Sequence, residues 1–217
     1  MRISDDRYSR DQLRLEVAMR FIRLEARTQT IRLWTGLTDD RIRKLYRSYL
    51  MDAGGTEIRR HRGKAPRQAA YFTHSTRLRQ ETDVLASVCL LLGLIGRPTG
   101  GAEPLAQIRR AQLLCQAFEC YRQMIPEAHI SLDHLHFLLG ALAQGRELRL
   151  DNCKSCGALI VADRLTLRTP RCVVCATDVL AHGALLAVDT HPQVGGLTHS
   201  ARRLTSPACT SSDSGTC

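Results

Sequence analysis

Two pairs of closely spaced cysteines are the feature that most constrains how this chain can fold. Cys153 and Cys156 form one C-x-x-C pair, fifteen residues follow, and Cys172 and Cys175 form the second pair. Each pair can place two thiolates on one tight turn, and two such turns supply the four soft ligands of a tetrahedral metal site. Because protein fills all four positions, none is open to water or substrate. The spacing therefore predicts one structural Zn²⁺ in a small zinc-ribbon-like module.

Two other uses of these cysteines fit the sequence less well. A thioredoxin-like redox site needs a single pair beside a βαβ pattern, and no such pattern is visible. Disulfides are expected in secreted chains, whereas the N-terminal stretch MRISDDRYSR is polar and lacks the apolar region of a signal peptide. We therefore expect reduced, metal-binding thiols and a cytoplasmic location.

The charge balance favours an anionic partner. The chain of 217 residues has 31 Lys and Arg against 21 Asp and Glu, a formal net charge of +10. Such a balance is most common in nucleic-acid-binding proteins, although a merely soluble basic surface would show it too. The longest apolar run, residues 84–95, is shorter than the roughly 20 residues that span a bilayer. We expect it to form a buried core helix.

Apolar periodicity and capping residues predict a mainly α protein. Residues 12–33 show one long amphipathic face, and further helices are expected at 77–95, 104–124 and 132–144. Pro104 suits a first helical turn and Ser131 suits an N-cap. Between the two cysteine pairs, the stretch ALIVADRLTLRTP is typical of a short β-hairpin.

The first two helices match a helix-turn-helix pattern. Gly36 is a natural helix end and Thr38 a natural N-cap, after which a second helix runs to about residue 50. We expect Ile42, Leu45 and Tyr49 to face inward. The rest of that helix is cationic, with the candidate DNA contacts Arg41, Arg43, Lys44 and Arg47. The alternative is an ordinary helical hairpin whose charged face is only solvated.

A basic segment follows at residues 52–68. It contains the candidate phosphate contacts Arg59, Arg60, Arg62, Lys64 and Arg67. Flexible cationic segments bind phosphate without reading sequence. A solvated loop without a partner has the same composition.

The stretch RLEVAMRFIRLEARTQTIRLWTGLTDDRIRKLYRSYL, residues 14–50, resembles the FlhC family of flagellar transcriptional activator subunits. With CKSC and CVVC in that order, the resemblance extends over residues 12–178. It implies Zn²⁺ ligation by the four cysteines and a hetero-oligomer with FlhD, of four FlhD and two FlhC chains. It also implies activation of flagellar (class II) operon promoters through recruitment of RNA polymerase. The segment KAPRQAAYF departs from the family's apolar-aromatic pattern.

Together these patterns predict three parts. A helical DNA-binding domain covers residues 1–147, with the helix-turn-helix-like pair at 12–50. The zinc-binding module covers 148–180, and the Gly-, Ser- and Thr-rich tail at 189–217 is expected to be disordered. An alternative function is an RNA- or ribosome-associated zinc-ribbon protein. An enzyme is the weakest interpretation, because the sequence lacks an H-E-x-x-H pattern, a Gly-rich phosphate loop and an open metal site.

Overall fold

The computed structural model describes residues 2–52, 61, 63–96, 104–167 and 169–177. These residues form a mainly helical fold, as predicted, with one two-stranded antiparallel sheet. The elements in chain order are α1 (Arg2–Arg23), α2 (Thr28–Thr35), α3 (Asp39–Asp52), a 3-10 helix (Ala69–Thr73), α4 (Thr76–Leu91), α5 (Pro104–Met124), α6 (Leu132–Gln144), β1 (Leu148–Asn152) and β2 (Leu159–Asp163). The predicted tail at 189–217 lies outside the described residues.

The single helix expected over residues 12–33 is wrong, because the chain turns between α1 and α2. Glu25 adopts a left-handed backbone conformation with φ of 59°. The N–H of Glu25 bonds the carbonyl of Ile22, and the N–H of Ala26 bonds that of Phe21 at 2.9 Å. This pair of bonds is a Schellman helix end, in which glycine usually occupies the left-handed position. Because this position is occupied by a glutamate, nothing in the sequence indicated that the helix ends there.

The turn between α2 and α3 forms as predicted. Gly36 has φ of 71°, and its N–H bonds the carbonyl of Arg32. The hydroxyl of Thr38 accepts the N–H of Arg41 at 3.4 Å and so caps the start of α3. Ile42 is buried and Leu45 is partly buried, which agrees with the expected inward face.

The core is one buried cluster to which all six α-helices contribute, and α5 packs against α1, α2 and α4. Its largest fully buried side chains include Phe21, Leu85, Leu114 and Tyr121. Helix α6 begins and ends where the sequence predicts, with Ser131 as its N-cap and Gly145 as its left-handed C-cap. Its leucine stripe is buried at Leu132, Leu135, Leu138 and Leu139.

Helix α4 is shorter than expected. It ends at Leu91, and the chain turns through Gly93, which has φ of 69°. Leu94 is buried, but Leu91 is 85% exposed, so the run 84–95 is neither one helix nor fully buried. In the part of the chain that the structure describes, no helix is both long and apolar enough to span a bilayer.

The β-hairpin is not where the sequence predicted it. Strand β1 precedes the first cysteine pair and β2 follows it, with Leu150 opposite Val161. The first cysteine pair therefore lies in the loop of the hairpin, and the hairpin does not lie between the two pairs. Among the described residues after β2, none forms the second strand that was expected, and Leu165 and Leu167 there are exposed.

Candidate metal centre and candidate nucleic-acid interface

The four cysteines predicted as ligands converge at the loop of the hairpin. The sulfur atoms of Cys153, Cys156, Cys172 and Cys175 all lie within 4.8 Å of one another. The sulfurs of Cys156 and Cys172 are 3.6 Å apart. Four thiolates around a zinc ion, at Zn–S distances of about 2.3 Å, would be separated by about 3.8 Å, whereas a disulfide needs about 2.0 Å. The cluster thus has the dimensions of a metal site.

Backbone hydrogen bonds shape both cysteine turns. The N–H of Gly157 bonds the carbonyl of Cys153 at 2.8 Å, and the N–H of Ala176 bonds that of Cys172 at 3.0 Å. Gly157 has φ of 76°, a conformation that glycine adopts at no steric cost. The two turns are therefore built alike, although alanine follows the second pair where glycine follows the first.

One backbone bond connects the two turns directly. The N–H of Lys154, inside the first pair, bonds the carbonyl of Pro170 at 3.1 Å. On the other side of the first turn, the amide of Asn152 donates to the carbonyl of Gly157 at 3.0 Å. These contacts keep the two turns next to each other, so that the four sulfur atoms converge.

The thiols differ in how readily they ionise. Backbone N–H groups of Cys172 and Cys156 point at the sulfur of Cys153 and lower its pKa to about 6. The neighbouring thiols of Cys172 and Cys156 raise the pKa of Cys175 to about 12. Four thiolates this close together need a cation to balance their charge. A soft, closed, tetrahedral donor set of this kind fits Zn²⁺ and leaves no position for a substrate.

The cationic side chains of α3 that were predicted as DNA contacts are exposed. Lys44 and Arg47 lie opposite the inward face, which includes the partly buried Leu45 besides Ile42 and Tyr46, because a helix turns by about 100° per residue. Arg41 and Arg43 flank them. Arg43 forms an ion pair with Asp40 at 3.0 Å. Among the described residues, Arg41, Lys44 and Arg47 have no carboxylate within 4.0 Å.

Helix α3 is fixed to the body by its buried face. The hydroxyl of Tyr46 donates to the carbonyl of Ala26 at 2.7 Å, inside the turn between α1 and α2. The guanidinium of Arg32 lies 3.6 Å from the carboxylate of Asp39. Tyr46 thus faces inward, which was not predicted, and the inward position of Tyr49 stays a prediction because its side chain lies outside the described residues.

The basic segment is described only in part. Lys64 and Arg67 are exposed, whereas Arg59, Arg60 and Arg62 lie outside the described residues. Arg67 lines a groove of about 460 Å³ between α2 and α6, together with Leu33 and Phe137. This part of the segment therefore lies beside the first helix of the helix-turn-helix-like pair.

Sequence reasoning missed Asp83, which joins the metal-bearing hairpin to the helical body. Its carboxylate accepts the N–H of Val161 in β2 at 2.7 Å. An aspartate next to the apolar residues Val84 and Leu85 was the only signal of it in the sequence.

No protein-family model matches this chain, and no curated protein matches it. The mainly helical fold and the four-cysteine cluster are therefore the observations from which function is inferred.

Proposed function

We propose that the chain is a zinc-stabilised DNA-binding subunit of a transcriptional activator, of the kind that the FlhC family represents. The observation that carries this proposal is the unit of α2, Gly36 and α3, whose second helix exposes Arg41, Lys44 and Arg47 without carboxylate partners in the described part of the chain. Two helices joined by a short glycine turn are the arrangement in which the second helix enters the major groove.

In this proposal α3 makes the specific contacts. Lys44 and Arg47 are central on its exposed face and approach guanine edges or phosphates, with Arg41 at the side. Arg43 would first have to leave Asp40. The basic segment, including Lys64 and Arg67, adds phosphate contacts that contribute affinity but no sequence information.

The zinc ion has a structural role in this proposal. It joins Cys153 and Cys156 in the hairpin loop to Cys172 and Cys175, which follow the hairpin by several residues. Metal binding free energy at such a site is folding free energy. In this proposal the metal takes no part in catalysis, and the chain acts as a DNA-binding subunit and not as an enzyme.

The partners follow from the resemblance of residues 14–50. They are FlhD in a hexamer of four FlhD and two FlhC-like chains, flagellar (class II) promoter DNA and RNA polymerase, all in the cytoplasm. The exposed apolar side chains of Leu90 and Leu91 at the end of α4 offer one surface for FlhD. The amphipathic helices over 12–33 offer another.

The test is to co-express the chain with FlhD of the same genome, measure zinc in the purified complex and footprint a flagellar promoter. The double variant Lys44→Ala/Arg47→Ala is compared with Arg109→Ala/Arg122→Ala, which removes two exposed charges from α5. The first should weaken promoter binding at least tenfold, since each good base contact contributes about 1–3 kcal/mol. It should also reduce the salt slope by up to about two units. The control should do neither.

Two results would overturn the proposal. If the chain does not co-purify with FlhD, the family resemblance does not describe its assembly. If structured RNA displaces promoter duplex at the same salt concentration, the RNA- or ribosome-associated interpretation replaces it.

A further inference from the structure

A cleft of about 420 Å³ lies where α4, the β-hairpin and the second cysteine pair meet. Three arginines from distant parts of the sequence line it: Arg79 in α4, Arg149 in β1 and Arg171 beside the second pair. Three threonines also line it, Thr73, Thr166 and Thr169. The fold thus brings together cationic and hydroxyl groups that no sequence motif connects.

The charge of this cleft is not balanced by its own lining. Asp163 is the one carboxylate among its described lining residues, and that carboxylate already accepts the N–H of Leu165 at 2.8 Å. Arg149 lies 3.3 Å from Asp151. Asp151 thus partners Arg149, and Arg79 and Arg171 are the two arginines of the cleft that form no ion pair among the described residues.

Arg79 contacts the backbone of Arg171, which also lines the cleft. The guanidinium of Arg79 donates to the backbone carbonyl of Arg171 at 3.4 Å. Within the described residues, neither Arg79 nor Arg171 has a carboxylate within 4.0 Å, and Asp83, which lies near Arg79 in α4, is bonded to Val161 instead. Like charges confined to a concave surface attract an anion.

We propose that this cleft binds a phosphate group. Guanidinium groups present paired N–H donors that match phosphate oxygens, and threonine hydroxyls supply further donors. None of the described lining residues is itself a metal ligand, and Arg171 and Ala176 are the neighbours of Cys172 and Cys175 in the chain. The phosphate belongs either to a nucleic-acid backbone or to a free phosphorylated small molecule, and both present the same oxygens.

This site goes beyond the proposed reading of DNA by α3. It lies on α4, the hairpin and the segment before Cys172, and it requires neither FlhD nor a promoter. An experiment can therefore disprove phosphate binding in the cleft without disproving the proposed function, and the reverse is also true. Loss of promoter binding in the α3 variant says nothing about free phosphate in this cleft.

The first arm of the test uses inorganic phosphate and pyrophosphate. Each is titrated into the zinc-loaded full chain by calorimetry, against sodium chloride at matched ionic strength. Arg171→Gln should weaken binding roughly tenfold, because hydrogen bonds between charged groups are among the strongest in proteins. Arg171→Lys keeps the charge and should recover part of the loss. Arg122→Gln removes an exposed arginine of α5 and should behave as the unmodified chain.

The second arm uses a short DNA duplex of arbitrary sequence. If the cleft holds a backbone phosphate, Arg171→Gln should weaken duplex binding and reduce the salt slope by about one unit. If the cleft holds a free phosphorylated ligand, Arg171→Gln should leave duplex binding unchanged. The unmodified chain should then bind pyrophosphate tightly, and Arg171→Gln should abolish that binding.

The proposal would be overturned if Arg171→Gln and Arg149→Gln bound the phosphate anions and the DNA duplex as tightly as the unmodified chain does. Zinc content and thermal midpoint are measured for both variants, because Arg171 is adjacent to the ligand Cys172. If Arg171→Gln loses zinc, Arg149→Gln decides the result, since Arg149 lies on the strand before the first cysteine pair.

Discussion

The carboxylate of Asp83 in α4 accepts the backbone N–H of Val161 in β2 at 2.7 Å. Burial raises the pKa of Asp83 to about 6, although the N–H of Val161 and the charge of Arg79 act in the opposite direction. The group is therefore largely ionised at neutral pH, and the bond is charge-assisted. With Val161 and Leu148 buried in the main core, the hairpin that carries the first cysteine pair is attached to the helical body.

Replacing Asp83 tests this attachment. Asp83→Ala leaves the N–H of Val161 without its partner and should lower the free energy of unfolding by about 1–3 kcal/mol. Asp83→Asn keeps an oxygen acceptor and should retain most of the stability. Chemical denaturation of both variants measures the difference, and equal loss in the two would show that the hydrogen bond is not the cause.

Removing a metal ligand should destabilise the chain. Cys153→Ser or Cys172→Ser should release zinc and cost several kcal/mol, because binding at a structural site is coupled to folding. Cys120→Ser, in α5 and outside the cluster, is the matched control and should keep a full complement of metal. A chelator-dye assay and thermal unfolding provide the measurements. Full stability in the ligand variants would refute a structural metal.

The hydroxyl of Tyr46 should be needed to hold α3 in place. Tyr46→Phe removes the 2.7 Å bond to the carbonyl of Ala26 and leaves a buried acceptor unsatisfied. The expected loss is about 1–2 kcal/mol of stability, together with weaker promoter binding. Tyr8→Phe, at a tyrosine that is 72% exposed, should change neither quantity. Unchanged unfolding of Tyr46→Phe would contradict this role.

Glu81 should make stability depend on acid pH. It is 2% exposed, and burial alone would raise its pKa, but hydrogen bonds from Tyr121, His129 and Arg77 lower it to about 2. A lowered folded-state pKa contributes stability above the unfolded value of 4.5, and this contribution is lost as pH falls toward 2. Glu81→Gln should therefore cost about 2–4 kcal/mol at pH 7.

The pH profile separates this ionic effect from a loss of packing. The gap in stability between the unmodified chain and Glu81→Gln should stay constant from about pH 7 to pH 5 and narrow below about pH 4.5. Glu119→Gln is the control, because Glu119 pairs with Arg20 at a partly exposed site and should contribute less than about 1 kcal/mol. A gap that does not narrow in acid would show that the charge of Glu81 is not responsible.

Local chemistry made much of the fold predictable. Gly36, Thr38, Ser131 and Gly145 mark helix ends through their own side chains or backbone freedom, and each does so in the structure. The cysteine pairs likewise predicted the metal site, because the type and spacing of the ligands determine which coordination geometry they can form.

What the sequence did not reveal depends on contacts between distant residues. The break at Glu25 uses a residue type that rarely adopts φ of 59°. The pairing of β1 with β2 was missed because the partner strand precedes the cysteine pair, and the alternating run after β2 appeared to supply a strand of its own. The arginine cleft joins Arg79, Arg149 and Arg171, which only the tertiary fold brings together.

The four sulfur ligands come from two parts of the chain that are held in place in different ways. The β-ladder and Asp83 position Cys153 and Cys156 with the core, whereas Cys172 and Cys175 return after a connection that the sheet does not include. The sheet and the core thus position the first pair, and the bond from the N–H of Lys154 to the carbonyl of Pro170 joins the second pair to it. Metal binding then closes a loop between two segments of one chain, and it restricts the unfolded chain as a covalent cross-link would.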